Sequence, residues 1–189
     1  MPKRLAVIPA RKGSKGIPGK NKMEINGLSL TMHAAICAHR AGCDVVISTD
    51  DDYREELDYV QHQCPRIRIE QRDEILCTDT ALAWDVWQSV YRVNKVFNYD
   101  TYLYLEPTSP IRTVALLSYM CRKVEGERIP MLFTASPVDV KYSMYRQFVI
   151  RDKLPNFLTY RAANNQPRQE LEKTYIRNGL AYVCDPDGS

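Results

Sequence analysis

Strand-like and helix-like segments alternate along the chain, and this alternation restricts the fold more than any other feature of the sequence. Apolar runs at 5–8, 44–48 and 67–69 are separated by helical patterns at 30–41 and 53–63. Such repetition predicts a parallel sheet with helices packed on it. The pattern continues with a helix at 81–93, a strand at 102–105, a helix at 114–124 and strands at 131–135 and 180–184.

The helix predicted at 81–93 carries aromatic side chains on one face. Trp84, Trp87 and Tyr91 are spaced i, i+3 and i+7, so we interpret their shared face as part of the core. The threonines and the aspartate at 78–80 are typical of a helix N-cap and predict that this helix begins just after them.

A glycine-rich basic loop follows the first apolar run. Its basic residues are Arg11, Lys12, Lys15, Lys20 and Lys22, and they are interleaved with three glycines. Glycine lets backbone N–H groups approach an anion, and open α/β sheets bind ligands beyond the carboxyl ends of their strands. The loop therefore predicts a polyphosphate site. The alternative is a solvated basic turn, and the glycine spacing fits neither a P-loop nor a dinucleotide fingerprint.

The bulk composition predicts one compact globular domain, residues 1–189. The chain is 44% hydrophobic and 26% charged, and a net charge of +3 is too small to indicate nucleic acid as a partner. No apolar stretch approaches the roughly 20 residues of a membrane-spanning helix. Six scattered cysteines without a Cys-x-x-Cys pair favour reduced thiols, and we expect a cytoplasmic protein that binds neither nucleic acid nor a membrane.

Four stretches, in order along the chain, match the motifs of one enzyme family. They are Pro9–Asn21, Ser48–Asp50, Leu105–Arg112, and Pro167–Gln169 together with Asn178–Tyr182. In these stretches the chain resembles the acylneuraminate cytidylyltransferases, the CMP-sialic acid synthetases. The resemblance implies a Rossmann-like, three-layer α/β nucleotidyltransferase fold with a mostly parallel sheet. It also implies a small extension around 138–172 that serves dimerisation.

The resemblance also implies a reaction and its substrates. The family transfers CMP from CTP to the anomeric hydroxyl of an acidic nine-carbon sugar, such as N-acetylneuraminate or a legionaminate-like sugar, and releases pyrophosphate. It uses Mg²⁺ and works as a homodimer. Two alternatives stay open: a 3-deoxy-manno-octulosonate cytidylyltransferase, and a truncated homologue that binds nucleotide without catalysis.

The nucleotide-binding residues are predicted in the first loop, and the resemblance adds Arg72, after the third strand, and residues near the start of the third helix. Arg11 and Lys15 are also predicted to act in catalysis, because cations there would compensate phosphate charge during the transfer. A hydroxyl residue is common in the family at the position of Ala83. The nucleotide-binding set is Arg11, Lys12, Lys15, Lys20, Asn21, Arg72, Thr80 and Ala83.

The resemblance implies that the acceptor sugar contacts residues after the fourth strand and near the end of the chain. The loop after that strand lies beside the basic loop if the first and fourth strands are neighbours. Arg168 is assigned to the sugar carboxylate, because guanidinium binds carboxylate through two bonds. The substrate-binding set is Glu106, Thr108, Ser109, Arg168, Asn178 and Tyr182.

Two departures from the family pattern affect the chemistry. Glu106 stands where the family usually has glutamine, so we predict a catalytic role for it, as a base on the acceptor hydroxyl or as a ligand for Mg²⁺. A carboxylate there could instead repel an acidic sugar. Family members also continue into a segment whose two aspartates hold magnesium, whereas this chain ends at Ser189. The metal ligands therefore stay unassigned, and we expect the chain to be a fragment or a shortened form of uncertain activity.

Overall fold

A central six-stranded sheet organises the fold. The computed structural model describes residues 2–13, 16–164 and 166–186. The strands of the sheet follow the order β5-β4-β1-β6-β10-β7. Their bounds are β1 Arg4–Pro9, β4 Asp44–Thr49, β5 Ile67–Gln71, β6 Thr101–Tyr104, β7 Met131–Pro137 and β10 Tyr175–Cys184, and two hairpins add β2 Glu24–Ile25, β3 Leu28–Ser29, β8 Phe148–Arg151 and β9 Leu154–Phe157.

Helices connect the strands of the sheet. The first begins where the Ser29 hydroxyl accepts a hydrogen bond from the Met32 N–H, and it ends just before Gly42, whose φ of 89° suits glycine. The α-helices are α1 Leu30–Arg40, α2 Arg54–Gln61, α3 Ala83–Asn94, α4 Val114–Glu127 and α5 Tyr160–Ala163. Short 3₁₀ turns occupy Lys20–Lys22, Glu74–Leu76, Lys95–Phe97, Val140–Tyr142 and Arg168–Glu170.

The middle of the sheet confirms the strand arrangement on which the predicted site depends. Strand β1 pairs in parallel with β4 on one side and with β6 on the other. The fourth predicted strand, β6, is therefore the neighbour of the first. Strand β10 runs antiparallel to β6, with Tyr182 opposite Tyr104, so the sheet is mixed but mostly parallel.

Hydrophobic side chains bury both faces of the sheet. Successive residues of β1 alternate between the faces: Ile8 packs in the core formed with α1, α2 and α4, and Val7 packs in the core formed with α3. The second core also holds Val90 of α3 and Tyr102 of β6. Helix, sheet and helix thus form the three layers predicted for an α/β fold.

The chain divides into two compact units. The first runs to Phe133 and resumes at Gly179, and the second spans Thr134–Asn178. The extension predicted at 138–172 falls within the second unit, which contains the β8–β9 hairpin and α5. The assignment of residues 1–189 to a single domain stays a prediction.

Helix α3 differs from its prediction at the N-terminal end. It begins at Ala83 rather than at 81, and its N-cap residue, Leu82, makes no side-chain cap. Asp79 bonds to an arginine instead of capping this helix. The predicted aromatic core face is only partly correct, because Trp87 and Tyr91 pack on the core whereas Trp84 is 52% exposed. Trp84 covers the ring of Trp87, with 4.8 Å between the ring centroids.

Candidate functional site

A cleft lies at the carboxyl ends of β1, β5 and β6, where the parallel strands release their loops. Its volume is about 390 Å³, and it is lined by both polar and apolar side chains. Basic-loop residues and residues from the loop after β6 line the same cleft, as the strand order requires. The predicted site residues that line it are Arg11, Lys20, Asn21, Arg72, Ala83, Glu106 and Thr108.

The residues after β4 hold the start of the basic loop. The hydroxyl of Thr49 donates to the carbonyl of Ala10 at 2.5 Å, and the Ala10 N–H donates to the carbonyl of Ser48 at 3.0 Å. One residue further, the backbone N–H of Lys12 donates to Asp50 Oδ1 at 2.7 Å. The Ser48–Asp50 motif therefore anchors the loop, a role that its position after a strand did not reveal in the sequence.

Asn21 closes the other end of the basic loop. Its Nδ2 donates to the carbonyl of Arg11 at 3.0 Å, and its own carbonyl accepts from the Thr31 hydroxyl at 3.0 Å. Asn21 is buried and lines the cleft beside Lys20. Within the described part of the chain no hydrogen bond reaches its Oδ1, so that atom is available to a ligand. Lys15 lies outside the described residues.

Arg11 forms an ion pair at the cleft wall. Its Nη2 donates to Asp79 Oδ1 at 2.5 Å, and its Nη1 donates to the carbonyl of Cys77 at 3.5 Å. The contact joins the basic loop to the segment before α3, and both side chains are partly exposed to the cleft. A phosphate group that binds Arg11 would compete with Asp79 for the same guanidinium.

Arg72 places a buried cation behind the cleft. It is 6% exposed, and its Nη2 and Nε donate to the carbonyl and the hydroxyl of Ser48 at 2.7 and 3.3 Å. Burial lowers the pKa of its guanidinium, because removal from water disfavours the charged form. In residues 2–13, 16–164 and 166–186 no carboxylate forms an ion pair with Arg72. Arg72 lines the cleft, and its positive charge therefore acts on a ligand bound there.

Glu106 lies against a glycine. A β-carbon added to Gly179, which has a φ of 70°, would lie 2.9 Å from Glu106 Oε2 and 3.2 Å from its Cδ. Arg112 ties the same two segments together, because its Nη2 donates to the Glu106 carbonyl at 2.9 Å and its Nε donates to the Leu180 carbonyl at 2.7 Å. Together these contacts fix the backbone of the loop after β6 beside β10.

The remaining predicted residues of the first unit lie next to the cleft lining rather than in it. Ser109 donates to the Gly179 carbonyl at 3.5 Å, and the hydroxyls of Thr80 and Thr78 hydrogen-bond to each other at 3.2 Å. Tyr182 packs edge-to-face on Tyr104, with 6.3 Å between the ring centroids. Tyr104 itself lines the cleft and was not singled out in the sequence, because it reads there as one more apolar strand residue.

Arg168 and Asn178 belong to the second unit. The guanidinium of Arg168 is exposed and lies 3.8 Å from Asp139 Oδ1. Asn178 donates through Nδ2 to the Ser136 hydroxyl at 3.0 Å and accepts through Oδ1 from the Thr134 hydroxyl at 2.6 Å. Their assignment to the acceptor sugar stays a prediction.

Neither a preformed metal-binding cluster nor a membrane-spanning helix occurs among the described residues. No group of three or more His, Cys, Asp or Glu side chains in those residues is arranged to hold a metal ion. None of the helices in the described parts of the chain combines the length and the apolar character that a membrane span requires.

Three curated relatives share sequence with this chain. A CMP-N,N'-diacetyllegionaminic acid synthase of Legionella pneumophila is 34% identical over 154 residues, which are 75% of this chain and 61% of that protein. An N-acylneuraminate cytidylyltransferase of Streptococcus agalactiae is 25% identical over 98% of this chain and 44% of its own length. A pseudaminic acid cytidylyltransferase of Campylobacter jejuni is 26% identical over 95% of this chain and 77% of its own length. The chain thus spans less than two thirds of the first two relatives.

Solved structures share the fold at low sequence identity. A CMP:2-keto-3-deoxy-manno-octonic acid synthetase complexed with CTP aligns over 98% of this chain and 75% of its own, with a TM-score of 0.63 and 19% identity. A 4-diphosphocytidyl-2C-methyl-D-erythritol synthase of Anaerococcus prevotii aligns over 97% of this chain and 70% of its own, with a TM-score of 0.60 and 14% identity. Both have the three-layer nucleotidyltransferase fold described above. The family model for cytidylyltransferases matches residues 5–139, the part of the chain that builds the cleft, and the chain therefore belongs to the cytidylyltransferase family.

Proposed function

We propose that this chain carries the catalytic cleft of a CTP-dependent cytidylyltransferase acting on a sialic-acid-type nonulosonate. In this reaction the anomeric hydroxyl oxygen attacks the α-phosphorus of CTP, the bond to the β-phosphate breaks, and pyrophosphate leaves. The observation that carries the proposal is the cleft itself. Its lining combines cations of the basic loop and a buried arginine with two residues of the loop after β6; they are Arg11, Lys20, Arg72, Glu106 and Thr108. The names of the sequence relatives support the choice of CTP and of an acidic nine-carbon sugar.

Each wall of the cleft suits one part of CTP. Arg11 and Lys20 supply positive charge for the phosphates, and the free Oδ1 of Asn21 can accept a hydrogen bond from a ribose hydroxyl. Ala83 and Val86 offer an apolar surface to the base. The cation of Arg72 lies near the same wall and suits the carbonyl oxygen of cytosine. On the resemblance alone, Arg168 is the proposed partner of the sugar carboxylate, with Asn178 and Tyr182 near the sugar.

Mg²⁺ is the proposed cofactor. Two carboxylates, Asp79 and Glu106, line the cleft, and Mg²⁺ in phosphoryl-transfer sites commonly takes one or two carboxylates together with substrate phosphates. This donor set fits an ion that arrives with the nucleotide rather than one held by the protein alone. Asp79 and Glu106 would hold it there, where it would neutralise charge on the β- and γ-phosphates.

The reaction is tested by pyrophosphate release from the purified full chain. We expect release with CTP, Mg²⁺ and N-acetylneuraminate, legionaminate or pseudaminate, and none when the sugar is omitted or CTP is replaced by UTP. Release only with 3-deoxy-manno-octulosonate would select the other sugar class. Binding of CTP without turnover on any of these sugars would contradict the catalytic proposal and leave a nucleotide-binding homologue.

Replacing Glu106 with glutamine tests the proposed role of its carboxylate. As a general base on the acceptor hydroxyl, Glu106 contributes roughly 100-fold or more to the rate, so we expect Glu106→Gln to lower kcat by about that factor. The variant restores the residue usual in the family and keeps the size of the side chain. Glu127→Gln, on the exposed surface of α4, is the matched control and should leave kcat unchanged. Full kcat with unaltered Mg²⁺ dependence in Glu106→Gln would exclude both the base and the metal role.

We also propose that the protein is a homodimer that associates through the second unit. All eight strand residues of the β8–β9 hairpin are exposed, and Ile150, at 73%, and Leu154, at 66%, are apolar. An isolated two-stranded hairpin is marginally stable in water, and burial against a second copy would stabilise it.

The free thiols of the six cysteines support a cytoplasmic location.

The charge variant Ile150→Asp is expected to dissociate this dimer. Burying an unpaired carboxylate in an apolar interface costs several kcal/mol, so the dissociation constant should rise by about 100-fold or more. Sedimentation velocity over a concentration series measures the change. Ile111→Asp is the control, because Ile111 is 89% exposed and lies in the first unit. An unchanged sedimentation coefficient in Ile150→Asp would move the interface elsewhere.

A further inference from the structure

Tyr104 lines the cleft, and none of the proposed catalytic or binding roles uses its hydroxyl. It is the last residue of β6 and lines the cleft together with Arg72, Val86 and Glu106. Among the described residues no hydrogen bond is formed by its hydroxyl. Tyr104 is half-buried at the cleft, where water or a ligand can satisfy a hydroxyl that has no partner in the protein. The cleft is the place from which such a partner would come.

The ring of Tyr104 is held rigidly. Its backbone is paired on both sides, in parallel with Val7 and antiparallel with Tyr182. The ring packs on the core between the sheet and α3, and it meets the Tyr182 ring edge-to-face at 6.3 Å. A polar group on a side chain fixed in this way is preorganised for a ligand, because little rotamer entropy is lost when the ligand binds.

The hydroxyl of Tyr104 stays protonated in the neutral range. Burial raises the pKa of its hydroxyl to about 12, and the nearby carboxylate of Glu106 acts in the same direction. The hydroxyl is therefore both a hydrogen-bond donor and an acceptor at the pH at which the chain works. It can pair with a carbonyl, a ring nitrogen, an amino group or a sugar hydroxyl.

We propose that Tyr104 is a nucleotide-binding residue whose hydroxyl hydrogen-bonds the nucleoside part of the bound nucleotide. The inference deepens the proposed function and rests on it. The Tyr104 ring packs on the core that α3 forms with the sheet, and Ala83 and Val86 of α3 line the cleft together with Tyr104, so the three side chains offer an apolar surface that suits a heterocycle. Arg11 and Lys20, which suit phosphates, come from the separate basic loop. The neighbour of Tyr104 is thus the nucleoside rather than the phosphate chain.

The variant Tyr104→Phe removes only the hydroxyl and keeps the ring in its packing. We expect its affinity for CTP, measured by titration calorimetry, to fall by about 3- to 10-fold, the loss of one neutral hydrogen bond. Its affinity for inorganic pyrophosphate should not change, because pyrophosphate has no nucleoside. Tyr91→Phe is the matched control, since Tyr91 packs on the same core as Tyr104 but does not line the cleft.

The other outcomes separate this inference from the proposed function. If the unaltered chain binds CTP and Tyr104→Phe binds it equally well, the inference is wrong and the proposed function stands. Equal losses for CTP and pyrophosphate would also overturn it, because they would indicate a general effect on the cleft. If the unaltered chain binds pyrophosphate but shows no preference for CTP, the proposed function fails and the inference fails with it.

Discussion

Replacing Arg11 with methionine is expected to lower kcat/KM for CTP by about 100- to 1,000-fold, the loss typical for one donor that stabilises developing charge. Arg11 lines the cleft, and its guanidinium is the cation of the basic loop whose contacts are best defined. The substitution also breaks the ion pair between Arg11 and Asp79. The Asp79 carboxylate at the cleft wall then repels the phosphates of CTP more strongly. Steady-state rates of pyrophosphate release at varied CTP concentration measure the effect.

Two further variants sharpen the test of Arg11. Arg11→Lys keeps the charge but loses the fork that reaches both Asp79 and the Cys77 carbonyl, so an intermediate loss is expected. Arg54→Met is the matched control, because Arg54 is a surface arginine that pairs with Asp52 outside the cleft. If Arg11→Met keeps more than about a third of the rate, its loss is far below that of a charge-stabilising donor, and Arg11 is not part of the site.

Replacing Arg112 with methionine is expected to destabilise the fold by roughly 2–4 kcal/mol, because two carbonyl groups lose charged donors. Arg112 is only 8% exposed, and it joins the Glu106 carbonyl to the Leu180 carbonyl. Burial lowers the pKa of its guanidinium, and its Nη1 has no partner among the described residues. The variant no longer pays the desolvation cost of this buried cation, and this gain makes the net loss of stability smaller. Urea denaturation at constant pH measures the change.

The control for Arg112 lies on the helix that follows. Arg122→Met, at an exposed position of α4, should change the free energy of unfolding by less than about 0.5 kcal/mol. Arg112→Met should also lower kcat, because the loop that carries Glu106 and Thr108 loses its tie to β10. A variant as stable as the unaltered chain would mean that these carbonyls find other donors.

Local patterns predicted the parts of the fold that depend on the chain near each residue. The apolar runs of β1, β4, β5 and β6 gave the strands, and the alternation with helices gave the parallel arrangement. The meeting of Arg11 with Thr108 in one cleft required a further condition, that β1 and β6 be neighbours, and the pairing satisfies it. The antiparallel insertion of β10 beside β6 could not be read from the sequence, because a short apolar run carries no direction.

Contacts between distant segments account for what the sequence did not indicate. Aspartate is a residue type that commonly caps helices, but the guanidinium of Arg11, 68 residues earlier in the chain, binds the Asp79 carboxylate instead. Trp84 has the correct helical spacing for the core, yet spacing identifies a face and not whether another element covers it. Arg72 was assigned through the family resemblance, whereas its burial on Ser48 depends on the pairing of β4 with β5.

The φ of 70° at Gly179 restricts position 179 to glycine more than its contact with Glu106 does. L side chains rarely adopt this conformation, so another residue at 179 would strain β10 whatever stands at 106. An added β-carbon would also lie 2.9 Å from Glu106 Oε2, and the flexible carboxylate would have to turn away from it. A substitution at 179 would therefore reorient the acid in the cleft without touching the acid itself.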